Sequence, residues 1–430
     1  MLPILHQSFW RDEAFSFFVA EKSLKDIFLF VIKDAQGPLY YYVLHFWMIL
    51  FGNSEAMIRS LSIVSHMALG ILVFFFIRYL TKNTFVSIFA ATATLFNPML
   101  LSYSFEARPY SLLAFLTTFA LYLFVTKRFF LSSIILSLGI LTHNFALFSF
   151  FGVFLYWIAT KRKNTLQKDF FMLFTLPSIT TFFWGIFALQ QFHKVTQSFW
   201  INAPTTGIFL QTFEKFFGGT VGYDGKEFLL TIVFILTGFV IASWIVPKKT
   251  DAVREAPLFL FVALTPIIIA YLISSLWVPN FHERYIIASI PLLILFSTVS
   301  LYQLWQQAEK KLSYVIISLV VLHLVFSIQA AEKIVRTSTK APINYAVSEI
   351  LKRATAEDII IPKDYLNFVE TKYYVRRSGS AIPVYAVSST GEIPWYANAL
   401  VIDPAEIIKE LPKDKRVWHV TSDGGFELVK

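Results

Sequence analysis

Two adjacent carboxylates near the start of the chain are the residues best suited to chemistry. Asp12 and Glu13 lie within residues 10–14, just before the first long apolar run. Neighbouring side chains on a helix point about 100° apart, so both carboxylates cannot face one reacting atom. We expect one to act as a general base, because partial desolvation raises a carboxyl pKa, and the other to bind an arginine or orient a loop. On spacing alone, the simpler explanation is a pair of acidic residues favoured by the dipole at the start of an interfacial helix.

A Gly-Pro turn that enters a tyrosine-rich helix is the second polar feature. It runs through residues 36–45 and includes Tyr40 and His45. Its aromatic faces could hold a sugar or an isoprenoid chain, and Tyr40 and His45 are therefore candidate substrate-binding residues. An ordinary aromatic belt at the membrane surface is the simpler explanation.

A third polar cluster contains Glu106, Arg108 and Tyr110. Pro98 is expected to bend the preceding span, and Pro109 restricts the backbone before it and starts the next helix, so the cluster lies on a short turn. Either the glutamate and the arginine pair with each other, or the glutamate orients the site while Arg108 binds a phosphate or one of the two carboxylates.

A fourth cluster, with His282, Arg284 and Tyr285, precedes another apolar run. Backbone amides at a helix start and a guanidinium group together make an anion site. Arg284 could instead extend to lipid headgroups. His143 and Asn144 form a weaker fifth cluster. Since no two histidines have the spacing of metal ligands, the sequence calls for neither a metal nor another cofactor.

The composition is that of an integral membrane protein. Of the 430 residues, 56% are hydrophobic and only 15% are charged, whereas about a quarter of the residues in soluble domains are charged. The formal charge of +9 comes mostly from short links between apolar runs, which is an orientation signal rather than a nucleic-acid footprint. We therefore expect membrane lipids and no nucleic acid among the partners. Cysteine is absent, which excludes a disulfide framework.

Apolar runs predict about ten transmembrane helices. The run 39–51 is too short to cross a ~30 Å hydrocarbon core, so we expect it at the interface or on the outer face of the bundle. The predicted spans are, in chain order, 57–78, 84–104, 109–126, 130–142, 144–160, 170–190, 228–246, 256–277, 286–305 and 313–331.

The links between these spans predict the orientation. Links near residues 78–82, 127–128, 161–168, 248–254 and 310–311 are strongly basic, whereas those on the opposite side carry about as many acidic as basic residues. The positive-inside rule therefore places the first set in the cytoplasm. We expect the acidic pair, the other polar clusters and the tail to be extracytoplasmic, outside a prokaryotic plasma membrane.

The sequence predicts two domains. Residues 1–331 form the transmembrane domain, with an outer-face loop and interfacial helices over about 1–56. Residues 332–430 alternate helical patterns with short apolar runs, which predicts a small extracytoplasmic α/β domain. The apolar runs are 359–361, 382–387, 400–402 and 417–420. Without a recognisable catalytic motif, the simplest role for this domain is a lid or a docking surface.

With these residues laid out, the chain resembles the GT-C glycosyltransferases, specifically the family that contains the protein mannosyltransferases and the aminoarabinose transferase of lipid A. The resemblance covers nearly the whole chain. The matching pieces are residues 10–14 with Ser16, residues 37–41 with His45 and Trp47, Phe51 and Gly52 followed by Arg59, residues 106–110, and Arg284 and Tyr285 with Pro291.

The resemblance implies a polytopic α-helical enzyme of GT-C architecture. Such an enzyme transfers a sugar, with inversion, from a polyprenyl-phosphate donor to a lipid, glycan or protein acceptor at the outer membrane face. Asp12 would be the catalytic carboxylate and Glu13 its neighbour. Glu106 and Arg108 would order the substrates, and Arg284 would contact the donor phosphate.

The chain departs from the family pattern at two places. Members usually have a membrane helix before the acidic pair, whereas only nine residues precede Trp10 here, so we expect the first helix of the family to be missing from this sequence. Members also usually have a basic residue or histidine followed by two prolines where this chain has Gln36, Gly37 and Pro38. Lys33 or His45 could compensate.

Two functions of other classes compete with transfer. A transporter or flippase of a lipid-linked glycan would place ionisable residues near the middle of the membrane, often within inverted repeats. Here those residues crowd at one surface and no repeat is visible. A membrane subunit without catalytic activity would tolerate loss of the Asp12 carboxylate.

Overall fold

A computed structural model describes residues 3–34, 36–160, 167–197, 201–219, 237, 251–397 and 399–429. The chain divides into two compact units. The first, here called the terminal unit, combines Met1–Asp34, Tyr41–Leu61 and Ser338–Lys430. The second, the helical unit, combines Ala35–Tyr40 and Ser62–Thr337.

Fourteen helices precede the tail in the described part of the chain. They are α1 Arg11–Ala20, α2 Leu24–Val31, α3 Leu39–Phe51, α4 Glu55–Thr81, α5 Thr84–Leu95, α6 Pro98–Ser104, α7 Tyr110–Val125, α8 Phe129–Thr142, α9 Ala146–Thr160, α10 Gln167–Gln197, α11 Thr206–Gly218, α12 Asp251–Leu276, α13 Ser289–Gln307 and α14 Lys310–Thr337.

The helices confirm a multi-pass membrane protein. Within the described residues, α4, α10, α12 and α14 are each long and apolar enough to cross a membrane, and α5 with α6 makes a fifth span if the pair is counted as one. α7, α8 and α9 are shorter apolar helices. The count of ten spans stays a prediction, and the predicted span 228–246 lies outside the described residues.

The predicted bend before Pro98 is present. α5 and α6 meet at an angle of 57°. Proline cannot donate a backbone hydrogen bond and clashes with the preceding turn, so it kinks or breaks a helix, and here α5 ends before it. Asn97 instead starts a new helix, since its side chain accepts a hydrogen bond from the Leu100 amide at 3.0 Å. Its amide group also donates to the Phe216 carbonyl at 2.8 Å, which ties α11 to this break.

The helical unit is held together by aromatic and small residues. Trp157 lies edge-on to Phe124 and Phe129 at ring-centroid distances of 6.0 and 5.6 Å. Such pairs contribute about 0.5–1.5 kcal/mol each beyond simple area burial. α9 approaches α12 closely at Gly152, where an added Cβ would lie 3.1 Å from the Thr265 side chain.

The tail is a small α/β fold, as its apolar runs predict. Its helices are α15 Ile343–Leu351 and α16 Phe368–Arg377, and its strands are β1 Ile359–Pro362, β2 Ala386–Val387, β3 Ile407–Ile408, β4 Val417–Val420 and β5 Phe426–Leu428. β4 lies between a parallel β1 and an antiparallel β5, while β2 and β3 form a separate parallel pair. The strand expected at 400–402 is wrong: Ala399–Val401 is a 3₁₀ turn, which the Ile402 amide closes by donating to the Ala399 carbonyl.

The tail folds together with the beginning of the chain rather than alone. α14 runs on to Thr337, past the predicted boundary at 331, and the terminal unit resumes at Ser338. The Phe9 amide donates to the Tyr374 hydroxyl at 2.7 Å, and the Gln7 side chain donates to the Ser338 carbonyl at 2.6 Å. The acidic pair and the tail therefore belong to one compact unit.

Arg59 joins three parts of this unit. Its guanidinium donates to the carbonyl oxygens of Ile4, Leu5, Gln7 and Ser8 at 2.8–3.3 Å and pairs with the Glu13 carboxylate at 2.7 and 2.8 Å. Both side chains of the pair are fully buried. Removing one partner of a buried ion pair is costly because the other charge remains buried.

We predict that Arg59→Gln strongly destabilises the terminal unit. The variant removes the charge that compensates the buried Glu13, and it removes most of the donors to four backbone carbonyls. We therefore expect a loss of about 3–5 kcal/mol in the free energy of unfolding. Thermal or denaturant unfolding of the purified protein in detergent measures this. The control is Arg353→Gln, which removes an exposed contact to Glu349 and should cost at most about 1 kcal/mol. Equal losses in the two variants would contradict the assignment.

Candidate active site

The two neighbouring carboxylates have different surroundings. Glu13 accepts hydrogen bonds from Arg59 and from the Lys340 ammonium group at 2.7 Å, and the Trp10 amide donates to it at 3.3 Å. Burial alone would raise the pKa of Glu13, but the charges and hydrogen bonds of Lys340 and Arg59 lower it to about 2. Glu13 is thus a permanently ionised residue that connects α1, α4 and the segment before α15.

Asp12, by contrast, lies in the first turn of α1 beside Arg11. Its side chain is largely buried, and the Arg11 Nε lies 3.5 Å from its Oδ1. The Ser16 hydroxyl donates to the Asp12 carbonyl at 2.9 Å, which stiffens the helix beneath it. The two carboxylates therefore differ in the contacts shown for them: Glu13 pairs with Arg59 and Lys340, and Asp12 pairs with Arg11.

The two aromatic-helix candidates, Tyr40 and His45, both lie on α3 but belong to different units. His45, in the terminal unit, donates from Nδ1 to the Ala20 carbonyl at 2.7 Å and so caps the last turn of α1. Tyr40 belongs to the helical unit and is buried. Tyr41 packs edge-on against Phe15 of α1 at 6.4 Å. His45 and Tyr41 therefore fix α1, the helix that carries the carboxylates.

A basic cluster lies in the helical unit, where three predicted polar segments meet. Arg108 and Arg284 are both buried, each beside the tyrosine predicted with it: their guanidinium carbons lie 5.8 Å from the Tyr110 ring and 5.3 Å from the Tyr285 ring. The His143 ring lies between the two tyrosines, 6.0 Å from one and 5.5 Å from the other. Three of the five clusters that the sequence analysis singled out separately thus lie together.

Local structure explains how the turn presents Arg108. The Arg108 amide donates to the Glu106 carbonyl at 2.8 Å, which closes a tight turn, and Pro109 then caps α7. The Ser62 hydroxyl of α4 donates to the Arg108 carbonyl at 3.2 Å. The sequence prediction of a short turn between two helices is confirmed, and the turn is fixed to α4.

His143 is neutral in this cluster. Burial lowers its pKa, and the positive charges of Arg108 and Arg284 lower it further, to about 3. Its Nδ1 accepts a hydrogen bond from the Phe145 amide at 3.2 Å, so the ring proton is on Nε2. A neutral imidazole beside two guanidinium groups adds a hydrogen-bond donor without adding a third positive charge.

The segment around Arg284 carries further charges. Glu283 pairs with Lys215 of α11 at 2.9 Å and contacts His282 at 3.3 Å. Burial alone would raise the pKa of Glu283, but His282 and Lys215 lower it. Lys215 thereby brings α11 to the basic cluster.

The turn formed by Gln36, Gly37 and Pro38 packs against the end of α8, directly before His143. An added Cβ at Gly37 would lie 2.2 Å from the Leu141 carbonyl oxygen, so only glycine fits against the end of α8. Asn144 donates to the Gln191 side chain at 2.9 Å and accepts from the Trp184 indole at 2.9 Å. These contacts hold the link that contains His143, which gives the turn a positioning role.

Metal binding has no visible basis in the described part of the chain, where no group of three His, Cys, Asp or Glu side chains is close enough to hold an ion. The two buried guanidinium groups of the helical unit can bind an anion.

Sequence reasoning missed three charged residues. Lys340 and Lys215 contact Glu13 and Glu283 across 327 and 68 positions of sequence, and no local pattern signals such contacts. Glu370, in α16, is buried close to Asp12. The sequence could have revealed Glu370, because this acidic residue lies on the same face as Tyr374, and that face is the buried face of an amphipathic helix.

Comparison with known proteins supports the resemblance found in the sequence. Residues 35–186 match the family model described as dolichyl-phosphate-mannose-protein mannosyltransferase. This match includes the turn with Arg108 and the link with His143. The comparison with curated protein sequences gives no match.

Among solved structures, the fold is similar to that of ArnT from Cupriavidus metallidurans. Its structure in the apo state superimposes with a TM-score of 0.63 at 13% identity, covering 98% of this chain and 90% of that one. Its structure bound to undecaprenyl phosphate gives 0.63 at 12% identity with the same coverage. The fold and the family model together confirm the predicted resemblance of this chain to the GT-C membrane glycosyltransferases.

Proposed function

We propose that the chain is an inverting glycosyltransferase that uses an undecaprenyl-phosphate-linked sugar. The observation that carries the proposal is the convergence of Arg108 and Arg284 on neutral His143. Guanidinium groups bind phosphate in a planar, bidentate geometry, and burial strengthens that interaction. The structure of ArnT bound to undecaprenyl phosphate, a protein of the same fold, supports a polyprenyl phosphate as the carrier.

In this proposal Asp12 is the general base. The acceptor hydroxyl attacks the anomeric carbon from the side opposite the phosphate, its proton moves to the Asp12 carboxylate, and the bond between the anomeric carbon and the phosphate oxygen breaks. The phosphate leaves with the bonding electron pair. Because that phosphate is already an anion, it needs stabilising cations rather than an acid, and Arg108 and Arg284 supply them. Glu13 holds α1 in place.

We further propose that the reaction takes place on the extracytoplasmic side. The support is the charge asymmetry of the links, since the positive-inside rule assigns basic links such as 127–128 to the cytoplasm. An acceptor on that side can be a lipid, a glycan or a protein. Tyr110, Tyr285 and His282, next to the two arginines, are proposed to contact the donor, and Glu106 to orient the turn.

Asp12→Asn is the variant that tests the base. Membranes that contain the chain are incubated with a panel of labelled undecaprenyl-phosphate sugars, and transfer of label to endogenous acceptors is measured. We expect transfer to fall by about 10²-fold or more, because an amide cannot accept the proton, while binding of undecaprenyl phosphate is retained.

The matched control is Asp26→Asn, which changes an exposed carboxylate on α2 and should leave transfer unchanged. Transfer at the wild-type rate in Asp12→Asn would refute the role of the base. Absence of transfer from every donor, together with movement of the lipid-linked sugar across the membrane, would favour a flippase.

Arg284→Gln separates binding from proton transfer. Loss of one guanidinium from the buried pair should weaken binding of undecaprenyl phosphate by about 10-fold or more, since a charge-assisted hydrogen bond is worth about 1.5–3 kcal/mol. Binding of the fluorescent or radiolabelled lipid to purified protein measures this. Arg353→Gln, on the exposed surface of the tail, serves as control. Unaltered lipid affinity in Arg284→Gln would exclude the arginine pair as the phosphate site.

A further inference from the structure

Glu370 is a buried carboxyl group that the mechanism above does not use. It lies in the first turn of α16, in the tail, and only 7% of its surface is exposed. Its Oε2 atom is buried without a hydrogen-bond partner among the described residues. A buried carboxylate in that position is costly, whereas the neutral acid is tolerated.

Contacts between α16 and α1 place Glu370 at the start of the helix that carries Asp12. The backbone amide of Arg11, the first residue of α1, donates to the Glu370 carboxyl group, and the charges of Arg11 and Asp12 act on it. Phe17 of α1 lies edge-on to Tyr373 of α16 at 4.9 Å, and the Phe9 amide donates to Tyr374 at 2.7 Å. α1 is thus held by α16 at both ends.

The other ionisable groups on the packed elements have partners of their own. The pairs are Glu13 with Arg59 and Lys340, Glu349 with Lys352 and Arg353, Asp358 with Trp418 and Thr355, Lys372 with Glu406, Arg376 with Glu21, and Arg377 with Glu55. The charged groups that act on Glu370 are therefore those at the start of α1.

We propose that Glu370 is a positioning residue for Asp12: as a neutral acid it caps the first turn of α1 and keeps a second negative charge away from the base. This inference rests on the proposed function, in which Asp12 accepts the acceptor proton. When Glu370 loses its proton, the new carboxylate is buried beside Asp12, repels it and weakens the contact between α16 and α1.

The pH range follows from the surroundings. Burial and the negative charge of Asp12 raise the pKa of Glu370, and Arg11 offsets part of this rise. The resulting pKa is about 8. Because this value exceeds the ordinary carboxyl pKa, the folded protein binds the proton more tightly than the unfolded chain does. The stability that Glu370 contributes is therefore full at acidic pH and lost as the pH rises through about 8.

The test compares wild type, Glu370→Gln and Glu349→Gln as full-length protein in detergent. Infrared spectra recorded from below to above pH 8 follow the carbonyl band of protonated carboxyl groups, and unfolding temperatures are measured over the same range. We expect a wild-type acid band and a stability that both decline through about pH 8. Glu370→Gln should show neither change, whereas Glu349→Gln, a substitution at a carboxylate paired on the surface, should behave as wild type.

The rate of transfer from a labelled undecaprenyl-phosphate sugar is a second measurement. A role of Glu370 in folding alone would not change the pH dependence of this rate. In wild type, the ratio of the rates one pH unit below and one unit above the pKa should be about tenfold, because the protonated fraction changes by that factor. In Glu370→Gln the ratio should approach one. Equal ratios in the two proteins, or an acid band that Glu370→Gln leaves in place, would overturn the proposal. Transfer that survives in Asp12→Asn would overturn the proposed function instead.

Discussion

The buried ion cluster of Glu13, Arg59 and Lys340 is the interaction on which the terminal unit depends. Charges buried this fully are tolerated only when each finds an opposite charge and when the remaining donors and acceptors are satisfied. Here the Arg59 guanidinium satisfies both conditions, since it binds one carboxylate and four backbone carbonyls. The cluster links the first residues of the chain, the start of α4 and the beginning of the tail.

That constraint explains why two adjacent carboxylates have different surroundings. A residue held by two cations at a pKa of about 2 cannot exchange a proton near neutral pH. Asp12 lies one residue earlier, so its side chain points in another direction, but it lies on the same firmly held helix α1. The tail adds to this rigidity through α16, so it supports the helix that carries both carboxylates and buries Glu370.

Much of this arrangement could be predicted from the sequence, and the remainder could not for a physical reason. Apolar runs and Pro98 reveal the helices and the bend between α5 and α6, because both depend on local properties of the chain. The prediction that one carboxylate of the acidic pair binds an arginine rests on helix geometry, and Glu13 does pair with Arg59. Lys340 and Glu370, however, reach α1 through folding of segments more than 300 positions apart. The failed strand at 400–402 shows the same limit, since three apolar residues do not distinguish a strand from a turn.

The central claim is that Glu13 stabilises the fold whereas Asp12 performs the chemistry. Measuring unfolding temperature and sugar transfer on the same preparations of Glu13→Gln and Asp12→Asn tests it most directly. We expect Glu13→Gln to lower the unfolding temperature strongly, because Arg59 is left without its counter-charge. We expect Asp12→Asn to unfold as wild type but to transfer sugar more slowly by about 10²-fold or more. A Glu13→Gln protein as stable as wild type, or an Asp12→Asn protein that transfers sugar at the wild-type rate, would contradict this claim.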